Sequence, residues 1–136
     1  MSQHQPFAQA LSPLDVGPLR FRNRIFVPAH TTNFGEHHLP SAQHLAYHRA
    51  RARGGVGAII FESIRVHANS LGRPQAVCGF DPACIDPFRR ITDAVHAHRV
   101  PIFAQINHNG GQASSMYSRL PVWAPSPVAD PLAAPR

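Results

Sequence analysis

An α/β fold built from parallel βα units is predicted for this 136-residue chain by three observations. Apolar runs that suit buried strands begin at Ile25, Val56 and Pro101. Two segments with helix-capping signals separate these runs. Hydrophobic residues make up 43% of the chain, which is enough for a core. Strands that alternate with helices in this way form parallel sheets.

A hairpin and a first strand open the chain. Apolar and polar residues alternate through "PLDVGPLRFR", residues 13–22, on both sides of a Gly17-Pro18 turn signal. The following "NRIFVPA" is apolar from Ile25 until Pro28 ends it. This pattern predicts a short buried strand after the hairpin.

The first helix is predicted from Ser41, as N-cap, to Arg53, and Gly54-Gly55 ends it. Its small apolar contacts are expected from Leu45, Ala46, Ala50 and Ala52. The second strand follows directly and is apolar from Val56 to Phe61 before it ends in Glu62-Ser63. Apolar residues on both faces are typical of a parallel sheet that is covered on both sides.

A second helix is predicted to begin with Asp86 as N-cap and Pro87 at its first helical position. An irregular loop from about Val66 to Ile85 precedes it, because glycine and proline recur there. The buried stripe of the helix follows i, i+3 and i+4 spacing through Phe88, Ile91, Ala94, Val95 and His98.

Polar residues at the end of the third strand are the main functional signal. "PIFAQINHNGGQ", residues 101–112, begins as a buried strand and then places Gln105, Asn107 and His108 where the apolar run should continue. Parallel α/β folds bind ligands at the carboxyl ends of their strands. The ends of the other two strands are Pro28 to Thr32 and Glu62-Ser63. We therefore expect a ligand at the edge of the sheet where the three strand ends meet.

Two architectures fit this order, a doubly wound sheet and part of a (β/α)8 barrel. A dinucleotide-binding sheet should carry G-x-G-x-x-G after its first strand, whereas "PAHTTNFG" stands there, so the barrel is favoured. After His108 the chain is expected to be irregular, since five of its last 16 residues are proline. Residues 118–136 are assigned to a Pro-rich tail.

Composition argues against several other classes of protein. The net charge of +6 comes from arginines that are scattered and lack an aromatic platform, so a basic nucleic-acid module is only the remote alternative. No apolar run approaches the roughly 20 residues that span a bilayer, and no signal peptide is visible, so a cytoplasmic location is expected.

Cysteine and histidine spacing predicts no metal site. Cys78 and Cys84 lack metal-ligand spacing and are too few for a disulfide framework, which indicates reduced thiols. His44 and His48 have an i, i+4 spacing that binds zinc in H-E-x-x-H, but the glutamate of that motif and a third ligand are missing.

Four motifs occur in order along the chain, "PLDVGPLRFRNRIFVPAHTT", "GGVGAIIFES", "QINHNGGQA" and "APSPV", and they span about Leu11 to Val128. Together they resemble the Old Yellow Enzyme family of FMN-dependent NADH:flavin oxidoreductases. Gly111 replaces the arginine of the family's His-x-Gly-Arg motif, which makes the chain more similar to the amine-dehydrogenase and dienoyl-CoA reductase branch. The resemblance implies a fold that is the N-terminal part of a (β/α)8 TIM barrel.

The resemblance also implies which residues hold FMN. Thr31 matches a side chain near the flavin N5–O4 edge, where a donor at O4 stabilises reduced flavin. Ser63 matches a small residue beside the pyrimidine end, and Gln105 matches a glutamine whose amide both donates and accepts hydrogen bonds. The full implied set is Pro28, Ala29, His30, Thr31, Ser63, Gln105 and His108.

By resemblance, residues 1–136 form a partial FMN-binding domain with about three of the eight barrel strands. The complete enzyme would use NAD(P)H to reduce an activated alkene, or would oxidise an N-methylated amine, with its catalytic residues beyond Arg136. The alternative is a truncated, inactive fragment that needs the rest of the barrel or a partner. Three parallel strands leave unpaired edges and uncovered apolar faces, so a marginal or aggregating monomer is expected.

Overall fold

The computed structural model describes residues 6–128. A one-turn helix, α1 (Ala8–Leu11), precedes strands β1 (Leu14–Val16) and β2 (Leu19–Phe21), which form the predicted antiparallel hairpin. Gly17 takes φ +53° in the tight connection, a conformation that glycine adopts without steric cost.

One parallel sheet organises the rest of the described chain. It contains β3 (Phe26–Val27), β4 (Ala58–Arg65), β5 (Val77–Cys78) and β6 (Ile102–Asn107). β4 is central: β6 pairs along one side of it, and β3 and β5 pair with the lower and upper ends of its other side. Helices α2 (Ala42–Arg53) and α3 (Ile85–His96) connect the strands, so the predicted β-α-β-α-β order is confirmed.

The core lies between this sheet and the two helices, which pack against each other and against β4. Its buried apolar side chains are Ala52, Ile59, Phe61, Ile64, Val77, Ile91, Val95 and Val100. The opposite face of the sheet is open along β6, where Phe103 is 39% exposed. Helices on one face and an uncovered second face are what part of a (β/α)8 barrel presents, because the barrel interior is filled by side chains from all eight strands.

Three predictions about the elements were wrong in detail. β4 continues to Arg65, because Ile64 and Arg65 pair with β5 on one side and with β6 on the other. The loop from about Val66 to Ile85, which was expected to be irregular, contains β5 and two short 3-10 helices, Ala68–Ser70 and Pro82–Cys84. Helix α3 begins one residue before Asp86, which lies in its first turn and does not cap it.

Helix α2 begins at the predicted cap but buries a different face. Ser41 accepts hydrogen bonds from the backbone N–H groups of Gln43 and His44, and the His44 side chain completes a capping box. The buried residues of α2 are His44, His48 and Ala52, at i, i+4 and i+8, while two of the predicted contacts, Ala46 and Ala50, are exposed. The helix packs through histidines because the sheet presents the acceptor Glu62 and the aromatic ring of Phe61 to them.

Beyond β6 the described chain forms one 3-10 turn, Gly110–Gln112, and a single helical turn, α4 (Ser115–Ser118). Residues 119–128 have no regular structure, and the rest of the predicted tail lies outside the described residues. None of the described helices is long and apolar enough to cross a bilayer. Cys78 and Cys84 are free and buried, and burial raises the pKa of both thiols.

Candidate functional site

Ser63 and Gln105 are brought together where β4 and β6 end. The strand register places them opposite each other, and Ser63 Oγ donates a hydrogen bond to Gln105 Oε1 over 3.0 Å. The register shifts between Phe61 and Ser63, which is a β-bulge that turns Glu62 toward α2 and Ser63 toward the open face. Gln105 is exposed, and its amide nitrogen has no protein partner among residues 6–128, so two N–H donors face outward.

A buried hydrogen-bonded network, formed by Glu62, His44 and Thr32, ties the end of β4 to α2 and to the loop after β3. Glu62 Oε1 accepts from His44 Nε2 at 2.5 Å and from Thr32 Oγ1 at 2.7 Å. Glu62 Oε2 accepts from the Thr32 backbone N–H at 2.9 Å. His44 Nδ1 accepts from the Ser41 backbone N–H at 3.1 Å, so the proton of the neutral ring is on Nε2 and points at the carboxylate.

This network controls the charge of Glu62. Burial alone raises the pKa of the Glu62 carboxyl, but the hydrogen bonds from His44 and Thr32 outweigh burial and hold the pKa below its ordinary value. Glu62 is therefore an ionised carboxylate whose acceptor capacity is directed at the loop after β3. Glu62 lies at a predicted strand end, but its partner His44 was not predicted, because the contact joins residues 18 positions apart.

The loop after β3 carries four of the predicted flavin-contacting residues. Thr31 precedes the anchored Thr32 and is exposed, and its Oγ1 accepts from Arg73 Nη2 at 3.4 Å. The His30 side chain is directed toward α2: Nδ1 donates to Pro28 O at 3.0 Å and Nε2 accepts from the Tyr47 hydroxyl at 2.6 Å. At this edge the loop thus offers its backbone and the Thr31 hydroxyl.

His108 is engaged elsewhere. Its Nε2 donates to Asn69 Oδ1 at 2.8 Å, and its Nδ1 accepts from the Gly110 backbone N–H at 3.0 Å. Nε2 therefore ties the turn Ala68–Ser70 to the end of β6, and Nδ1 is occupied by Gly110, so only the ring faces are free to meet a ligand.

Two arginines that the sequence analysis did not single out also lie at this edge. Arg65 ends β4 on the same face as Ser63, and its Nη1 donates to Asn107 and, at 2.7 Å, to Asn109. Arg73 reaches Thr31 from the loop before β5. The available signal for Arg65 was the period of two along a strand, which places residues 63 and 65 on one face.

His44 and His48 form no metal site in the part of the chain that the structure describes, where no group of three or more His, Cys, Asp and Glu side chains is close enough to hold a metal ion. Their rings stack in parallel, with centroids 6.4 Å apart and an interplanar angle of 5°. His48 is 2% exposed, and neither of its ring nitrogens has a hydrogen-bond partner within residues 6–128. Burial, which disfavours the protonated ring, lowers the pKa of His48 from 6.5 to about 4.

His48→Leu is expected to make the protein more stable in acid. The unfolded state binds a proton at His48 near pH 6.5, whereas the folded state binds it only near pH 4, so His48 destabilises the fold progressively as pH falls through this window. The linkage amounts to about 2 kcal/mol at pH 5. Urea unfolding at pH 7 and pH 5 measures the difference between wild type and variant.

The matched control is His96→Leu, because His96 is exposed at the end of α3. It removes an exposed histidine and is the baseline against which the effect of His48→Leu is compared. A His48→Leu variant that loses as much stability between pH 7 and pH 5 as wild type contradicts the assignment of a neutral buried ring.

Comparisons with known proteins identify relatives of this chain. A sequence profile of the NADH:flavin oxidoreductase / NADH oxidase family matches residues 10–134. The chain is 36% identical to the NADH oxidase of Thermoanaerobacter brockii over 90% of its own length and 19% of the relative's. It is 33% identical to a probable N-methylproline demethylase of Rhizobium meliloti over 85% of its length and 17% of the relative's.

A solved structure agrees with these sequence matches. An old yellow enzyme homologue from Zymomonas mobilis superposes with a TM-score of 0.79 at 29% identity, over 87% of this chain and 33% of the other. The chain thus spans less than a fifth of the length of both curated relatives and a third of this solved chain.

Proposed function

Because the chain belongs to the NADH:flavin oxidoreductase / NADH oxidase family, we propose that it binds the ring of FMN at the edge where β3, β4 and β6 end. We name this edge the carboxyl edge. The observation that carries the proposal is the Ser63–Gln105 pair. The serine hydroxyl donates a hydrogen bond to the amide oxygen of Gln105, so the amide N–H donors point outward.

The donors and acceptors at the carboxyl edge suit the flavin ring. The ring presents carbonyl oxygens as acceptors, and the Gln105 N–H groups are donors with no other partner among the described residues. The Thr31 hydroxyl is exposed beside the backbone of Pro28 to His30, and the Glu62 network fixes this loop through Thr32. The residues that would hold FMN are thus Pro28, Ala29, His30 and Thr31 through the loop, with Ser63 and Gln105 on the strands and the ring face of His108.

When bound, FMN would carry hydride from NAD(P)H to an activated alkene, or would accept hydride from the C–N bond of an N-methylated amine. The chain's own residues position the ring and place a hydrogen-bond donor at its edge. The proposal of amine oxidation is supported by the demethylase relative, whose named substrate, N-methylproline, carries both an N-methyl group and a carboxylate.

A second proposal is that these residues need further barrel strands, or a partner, to act. The open side of β6 supports it, because Phe103 and Ile106 are exposed where a neighbouring strand or a filled barrel interior would cover them. Sedimentation of the purified 14.9 kDa chain tests this proposal. A compact monomer that unfolds cooperatively contradicts it, and self-association or aggregation supports it.

Gln105→Leu is expected to weaken FMN binding by roughly three- to ten-fold, the loss of one or two ordinary hydrogen bonds. The substitution keeps the side-chain size and removes the outward N–H donors. Retained flavin absorbance after removal of free FMN, together with a titration of the dissociation constant, measures the effect.

Gln43→Leu is the control, since Gln43 is exposed on α2 and its side chain makes no contact at the carboxyl edge. If wild type retains no FMN, the proposal fails for this chain alone. If Gln105→Leu and Gln43→Leu bind FMN equally well, the role of Gln105 is wrong.

A further inference from the structure

Arg65 is a buried cation with no acidic partner in residues 6–128. It is 5% exposed, and its hydrogen-bonding partners are the neutral amide oxygens of Asn107 and Asn109. The salt bridges of the described chain join other pairs, and none includes Arg65. A buried charge is ordinarily neutralised by an opposite charge, because neutral acceptors only partly replace the lost hydration.

Hydrogen-bond donors around Arg65 are also unused. Arg65 Nε and Asn69 Nδ2 are both buried without a partner among the described residues. Asn69 belongs to the same cluster, since its Oδ1 accepts from His108, the residue between Asn107 and Asn109. Buried polar groups are hydrogen-bonded in the large majority of native structures, so two unused donors in one cluster indicate a missing acceptor.

Arg73 adds a second positive charge beside the first. Its guanidinium contacts Thr31 and Asn33 at 3.4 Å each, long hydrogen bonds that leave most of its donor capacity free. Burial, and after it the charge of Arg73, lowers the pKa of Arg65. A Cβ at Gly72 would lie 3.4 Å from the Asn109 amide nitrogen, so the residue before Arg73 adjoins a partner of Arg65. The nearby carboxylate of Glu62 is already committed to Thr32 and His44.

The cluster adjoins the proposed flavin site. Arg65 lies two residues beyond Ser63 on the same face of β4, about 7 Å farther along the strand. Arg73 touches Thr31, the exposed hydroxyl of the loop after β3. An anion held between the two arginines would therefore lie next to a ring held by Thr31, Ser63 and Gln105.

We propose that Arg65 and Arg73, with the amide of Asn69, form a subsite for the carboxylate of a small-molecule substrate. The proposal takes its position from the proposed flavin site and deepens it by naming the substrate class. Arg73, which is half-buried, meets the anion first, and Arg65 faces it as a largely desolvated cation. A carboxylate suits this pair because a planar guanidinium donates to its two oxygens in parallel.

The test compares ligands that differ only in the carboxylate. N-methylproline is paired with N-methylpyrrolidine, and crotonate with crotonamide, and each is titrated by isothermal calorimetry into the chain with and without FMN. Arg73→Gln and Arg65→Gln are expected to weaken binding of the two carboxylates by about ten-fold or more, the contribution of a hydrogen bond to a charged group. Binding of the two ligands that lack a carboxylate and retention of FMN are expected to stay within about two-fold.

Arg89→Gln is the control, because Arg89 is an exposed arginine of α3 whose partner is Asp86 of the same helix. If Arg65→Gln does not fold, as judged by circular dichroism, Arg73→Gln decides the matter, since its partners lie at the exposed surface. Equal losses for ligands with and without the carboxylate overturn the proposal, as does wild type that binds neither carboxylate.

The two proposals fail separately in this design. FMN retention with carboxylate binding that is unaffected by either arginine variant overturns the subsite and leaves the flavin site standing. Carboxylate binding that depends on Arg65 or Arg73 without FMN retention supports the subsite and overturns the flavin site for this chain.

Discussion

Glu62→Ala is expected to lower the free energy of unfolding by about 3–5 kcal/mol, the usual effect of removing one partner from a buried charged network. The carboxylate accepts three hydrogen bonds, two from Thr32 and one from His44. Without it, the two Thr32 donors lose their acceptor and the His44 Nε2–H keeps only the Thr32 hydroxyl oxygen at 3.1 Å. Each unsatisfied buried donor costs about 1–3 kcal/mol. Urea unfolding monitored by circular dichroism measures the loss.

The control is Glu36→Ala, which removes an exposed carboxylate from the loop after β3. It is expected to change the free energy of unfolding by about 0.5 kcal/mol or less. The pH dependence is a second check. Because the folded-state pKa of Glu62 lies below its ordinary value of 4.5, its stabilisation is present above pH 4.5 and is lost as pH falls through the folded pKa. A variant with wild-type stability at pH 7 contradicts the buried network.

The same substitution connects stability to the proposed flavin site. Thr32 is the residue that Glu62 anchors, and Thr31 is its neighbour at the carboxyl edge. Without this anchor, the exposed side of the loop after β3 is held by the hydrogen bond of His30 to Tyr47 and that of Arg73 to Thr31. A folded Glu62→Ala protein is therefore expected to retain less FMN than wild type, although Glu62 itself does not contact the ring.

Gly57→Ala is expected to destabilise the fold by about 3 kcal/mol or more, at the upper end of the effect of overpacking. A Cβ at residue 57 would lie 2.3 Å from the backbone oxygen of Asn23 and 2.8 Å from its side-chain oxygen. The Gly57 N–H also donates to Ile25 O at 2.7 Å, which begins the β3–β4 pairing. Backbone cannot move aside here without breaking that pairing.

Gly111→Ala is the matched control for this prediction. A Cβ at Gly111 would meet its nearest neighbour, the Ala124 Cβ, at 3.7 Å, which is ordinary van der Waals contact. Both variants are compared by thermal unfolding. Similar midpoints for the two would show that the chain accommodates a side chain at residue 57 and that the close approach of Asn23 is not required.

The resemblance and the strand-end rule located most of the candidate site, yet side-chain direction needed the folded chain. Gln105 and Ser63 were placed correctly beside each other because strand ends in a parallel sheet meet at one edge. His30 and His108 are in the expected segments, but their rings bond to Tyr47 and Asn69, partners 17 and 39 residues away. No local pattern encodes such contacts.

The sequence by itself determined the order of elements, because hydrophobic period, caps and glycine stops are local properties of the chain. Ser41, the Gly17-Pro18 turn and the apolar runs act within a few residues. The cap and the turn appear as predicted, and each apolar run contains a strand, although β4 extends to Arg65. The tertiary structure alone decided which polar residues are buried. His44, His48, Glu62 and Arg65 look like surface residues in sequence, and they became interior because β4 extends past Phe61, bulges at Glu62 and packs under α2.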